Sequence, residues 1–62
     1  MKLREFKFRD LPKGCGLSIF SEGKEVAMGF IGEVLKKPEI IALAEREIQS
    51  TNWFFDVFVI RV

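Results

Sequence analysis

The last eleven residues of the chain, Asn52 to Val62, read NWFFDVFVIRV, and eight of them are apolar. A strand with one face in water alternates apolar and polar residues, because successive side chains point to opposite faces. Read as one continuous strand, this stretch puts Trp53, Phe55, Val57 and Val59 on one side. Phe54, Phe58, Ile60 and Val62 fall on the other, interrupted by Asp56. A sheet covered on one face can hide one such row, and the second then has no cover within the chain. An exposed apolar row of that size marks an interaction surface.

The rest of the composition sharpens this. A 62-residue chain buries only about 60% of the surface its unfolded form exposes, so its stability is marginal unless something supplements the core. The single cysteine, Cys15, excludes an internal disulfide, and the absence of histidine leaves a nitrogen-and-thiolate zinc site almost nothing to work with. Association with another chain is the supplement that remains. Hydrophobic residues make up 48% and charged residues 31%, a globular balance rather than a disordered one. No uncharged apolar run reaches the length of a membrane span, and the start, MKLREFKFRD, is too charged for a signal peptide. These features and the lone cysteine point to an intracellular, cytoplasmic protein.

Lys2 to Arg9 alternates as a half-buried strand would, with Phe6 and Phe8 on one face. DLPKGCG then signals a loop. Leu17 and Ile19 share a face in the next strand, SEGKE supplies a hairpin turn at Gly23, and Val26, Met28 and Phe30 recur at period two in a strand over residues 25–31. Pro38 and Glu39 suit a first helical turn, and Ile40, Ile41, Leu43, Ala44 and Ile48 form a stripe at helical spacing, predicting a helix over 38–49. Residues 33–37 either add a short turn of helix before it or extend the third strand, since Pro38 disfavours a single helix through both parts. The expected fold is a single small α+β domain over 1–62, ordered β-β-β-α-β, with a three- to four-stranded, mostly antiparallel sheet and one principal helix on one face.

No motif points to catalysis. Cys15 sits between two glycines with no histidine to activate it, and Glu22, Glu25 and Glu33 surround a turn and a loop without a spacing that converges their oxygens on a metal. GFIGE matches no phosphate-binding loop. No enzyme activity and no cofactor are expected. Net charge is +1, but residues 1–13 carry +3, so Lys2, Arg4, Lys7, Arg9 and Lys13 interleaved with Phe6 and Phe8 are candidate contacts to nucleic acid. The leading expectation is a small non-enzymatic binding or regulatory protein, of the accessory kind common in phages and mobile elements. It would be a homo-oligomer, most simply a dimer, or would bind another protein, through Phe54, Asp56, Phe58, Ile60 and Val62; a nucleic-acid-binding module is the alternative.

Overall fold

A computed structural model describes residues 1–62. The sheet has four strands: β1 (Gly16–Ser21), β2 (Lys24–Phe30), β3 (Ser50–Phe54) and β4 (Val57–Arg61). Their spatial order is β2-β1-β4-β3. β1 is antiparallel to β2, β4 is antiparallel to β3, and the central pair β1 and β4 is parallel. Two short helices, α1 (Ile31–Val34) and α2 (Pro38–Ile41), join the two hairpins. The α+β expectation therefore holds at the level of a four-stranded mixed sheet with short helices. No helix is long and apolar enough to cross a membrane.

The first hairpin follows its local chemistry. Glu22 and Gly23 form its two-residue turn with φ of 55° and 79°, the pair of positive values that a type I′ turn requires. A bulge at Val26 shifts the register between β1 and β2, so both Val26 and Ala27 pack toward the core.

Three expectations are corrected. The first concerns residues 2–9, which form two 3₁₀ turns, Leu3–Glu5 and Phe8–Asp10, and no sheet strand. A turn of period three sets Leu3 and Phe6 on the same side, where strand alternation would separate them. Its backbone is bonded elsewhere: Leu3 N donates to Arg46 O and Arg4 N to Ala44 O, each at 2.9 Å. The second correction follows from the first. The helix expected over 38–49 stops at Ile41 and continues as turns, with Leu43 N bonded to Ile40 O and Arg46 N to Leu43 O. A helix through 49 would bond the Ile48 amide to the Ala44 carbonyl; instead Ala44 O accepts from Arg4 N and Ile48 N donates to Met1 O at 2.8 Å.

The third concerns the terminal stretch, which is a hairpin: Phe55 and Asp56 turn the chain between β3 and β4. The element order is thus β-β-α-α-β-β after the two 3₁₀ turns, with no principal helix. A two-residue turn sets Phe54 opposite Val57 and Trp53 opposite Phe58, so the two faces exchange members relative to a single strand. Phe58 and Ile60 join Leu17, Ile19 and Ala27 on the covered face, where Leu3, Val34 and Ile40 close the core. Trp53 lies edge-on to Phe58 at 5.0 Å, and Phe6 packs on the same ring at 5.5 Å.

Candidate interaction surface

The opposite face of the sheet has nothing packed over it. The register lines up Met28, Ser18, Val59 and Asn52 across the four strands. A neighbouring row runs through Phe30, Gly16, Val57 and Phe54, and a third through Glu25, Phe20, Arg61 and Ser50. Gly16 keeps the second row shallow, since a Cβ there would come within 3.2 Å of Val57 Cγ2. The result is an open depression of about 660 Å³, floored by Ser18 and Val59 and rimmed by Met28, Phe54 and Phe55.

Ser18, Glu25, Asn52 and Arg61 gather at one end and are already paired, while Asp56 stands unpaired at the other. Ser18 Oγ donates to Glu25 Oε2 at 2.8 Å, so the hydroxyl buried in the floor is satisfied. Arg61 Nη1 donates to Asn52 Oδ1 at 2.6 Å, and its guanidinium lies 5.3 Å from the centre of the Phe20 ring. Apart from Asp56, that other end is apolar and open: Met28 is 59% exposed, Phe54 62% and Phe55 86%.

Phe55 is the outlier. Its φ is 56°, in the left-handed region where a residue with a Cβ is strained by about 1 to 2 kcal/mol. Glycine relieves that strain, yet the position holds a phenylalanine whose ring is in water. Its one aromatic neighbour is Phe54, edge to face at 4.7 Å.

The residues expected at an interface divide between the two sides. Phe54 lies on the open face and Asp56 is exposed in the hairpin turn, whereas Phe58 and Ile60 are buried in the core and Val62 packs against it. Met28, Val57, Val59 and Phe20 were not among them. The turn at Phe55 and Asp56 is what would have revealed the two valines, because it reverses which β4 residues share a face with Phe54.

The basic residues divide as well. Lys2 Nζ pairs with Glu45 Oε1 at 2.9 Å, and Arg4 Nε pairs with the other oxygen of the same carboxylate. The hydrogen bond from Lys2, then that from Arg4, holds the Glu45 carboxyl below its ordinary range, and Glu45 in turn raises the Lys2 ammonium above its own. Lys7, Arg9 and Lys13 are in no ion pair; Arg9 and Lys13 line a groove with Phe8, Leu11 and Leu35. Phe6 and Phe8 pack on each other at 4.9 Å and, through Phe6, on the core. Cys15 is buried between Gly14 and Gly16. Comparison with protein-family models, with curated proteins and with solved structures finds no match to this chain.

Proposed function

We propose that this chain acts by binding another protein through the open face of its sheet, in a non-enzymatic, regulatory role, with a second copy of itself as the first partner. The observation that carries the reading is Phe55, a large ring held in water at a backbone conformation that costs stability. A turn optimised for folding alone would use glycine there. Burying Phe54 and Phe55 in a contact contributes roughly 1.5 to 3 kcal/mol each before the costs of association. That is comparable to the whole stability of a domain of this size.

Phe54→Asp places a charge on the contact without touching the core. Its expected result is loss of self-association with the fold retained, read by sedimentation and circular dichroism. Unchanged association would remove the open face from the account. The nucleic-acid alternative has less support, because Phe6 and Phe8 face the core and Lys2 and Arg4 are engaged by Glu45. Salt-sensitive binding to generic DNA or RNA would revive it.

A further inference from the structure

The two edges of the sheet are finished differently. Along β2, both short helices pack against the strand, a bulge interrupts the ladder, and Lys24 and Glu25 bring charge. These are the features by which natural sheets blunt an edge. β3 has none of them. Its five residues, Ser-Thr-Asn-Trp-Phe, are uncharged, contain no proline, pair with β4 without a bulge and are all exposed.

The register also settles which backbone groups β3 offers. Gly16 N bonds to Asp56 O and Val62 N to Phe20 O. In a parallel ladder this turns the amides of Phe58, Ile60 and Val62 toward β1, and those of Val57, Val59 and Arg61 toward β3. Their partners Phe54, Asn52 and Ser50 are thereby used. The N–H and C=O of Thr51 and Trp53 point out from the edge, met only by a long 3.4 Å contact from Asn52 Nδ2 to Trp53 O.

We infer that β3 pairs antiparallel with β3 of a second copy, about a two-fold axis at Asn52, making one eight-stranded sheet. The inference rests on the reading that the partner is this chain, and it names the edge and register. The outward-bonding residues, Thr51 and Trp53, stand one place either side of Asn52. In this register Thr51 therefore faces the partner's Trp53, and Trp53 the partner's Thr51, as two hydrogen-bonded pairs. Every charge near a two-fold axis approaches its own sign, and Ser50–Phe54 carries no charge to repel. A foreign strand could make the same bonds on one edge. A second copy covers both free edges at once and closes the assembly. It also sets the two open faces side by side in one sheet, with Phe54 opposite the partner's Ser50 and Met28 left uncovered on the far edge strand.

The test places cysteine at the axis. Asn52 meets the partner's Asn52 as a non-hydrogen-bonded pair, with Cα atoms about 4.5 Å apart, inside the range a disulfide spans. In a Cys15→Ser background, Asn52→Cys should oxidise to a covalent dimer while Ser50→Cys, some four residues out of register with its own copy, should not. Thr51→Pro removes an N–H that bonds nothing within the monomer, on an edge where proline is tolerated. It should weaken the dimer at least about tenfold with the monomer's melting temperature unchanged. A dimer that survives Thr51→Pro and does not cross-link at residue 52 would overturn the edge pairing and leave the open-face contact standing. A chain that stays monomeric would overturn both.

Discussion

Phe54 and Phe55 meet edge to face at the tip of the second hairpin, ring centroids 4.7 Å apart and planes at 82°. The pair combines a strained turn with exposed apolar surface, so stability and association respond to Phe55 in opposite directions. Phe55→Gly is expected to be more stable than Phe55→Ala by about 1 kcal/mol, since both lose the ring and only alanine keeps the left-handed strain. Both should self-associate more weakly than the natural chain. Chemical denaturation at low protein concentration, where the monomer dominates, reads the first comparison.

The exchange of faces on β4 predicts a sharp contrast between neighbouring surfaces. Ile60 is fully buried in the core and Met28 is largely in water on the open face. Ile60→Ala should cost about 2 to 5 kcal/mol, enough to unfold much of the population in a domain this small. Met28→Ser should cost less than about 1 kcal/mol. Equal costs, measured by urea denaturation, would mean that the faces are assigned wrongly.

At the first hairpin, Glu22 occupies a left-handed position next to Gly23. Glu22→Asn converts the turn to Asn-Gly and is expected to stabilise by up to about 1 kcal/mol. The substitution gives up only an exposed contact of 3.7 Å between Arg46 and Glu22, which contributes little. A thermal melt reads this as a rise of a few degrees, roughly 4 to 8 °C per kcal/mol for a chain of this length.

The pairing of the N-terminal segment with residues 44–47 is sensitive to acid. Glu45 has its carboxyl depressed below the ordinary 4.5 in the folded chain, first by the hydrogen bond from Lys2 and then by that from Arg4. A depressed acid contributes stability that is present above its unfolded pKa and lost as pH falls through its folded one. Stability should therefore decline below about pH 4.5. Glu45→Gln should flatten that decline and leave the part that arises from Glu47, which is held down by the Met1 amine. Urea midpoints across about pH 3 to 6 check this, and added salt should shrink the difference because the carboxylate is exposed.

These particulars show where the sequence was readable. The β1–β2 hairpin was legible because Gly23 marks its turn and Leu17 and Ile19 alternate cleanly with Ser18 and Phe20. The second hairpin was not, because Phe55 and Asp56 lack the glycine, asparagine or proline that signals a turn, and the left-handed φ at Phe55 is imposed by the pairing around it. That one turn moved Phe58 and Ile60 into the core and put Val57 and Val59 on the open side. The surplus of apolar side chains was visible in NWFFDVFVIRV, while its membership depended on parity. The helix over 38–49 had the right stripe, and Ile40, Leu43 and Ile48 do face the core. In place of its last turn, the Ala44 carbonyl and the Ile48 amide bond to Arg4 and Met1 at the other end of the chain, which no local pattern records.

The most direct test of the account is the mass of the natural chain in solution, measured by sedimentation equilibrium from about 1 to about 100 µM. The mass should approach twice that of the chain as concentration rises, and Phe54→Asp should abolish that rise. A single monomeric mass throughout that range would contradict it.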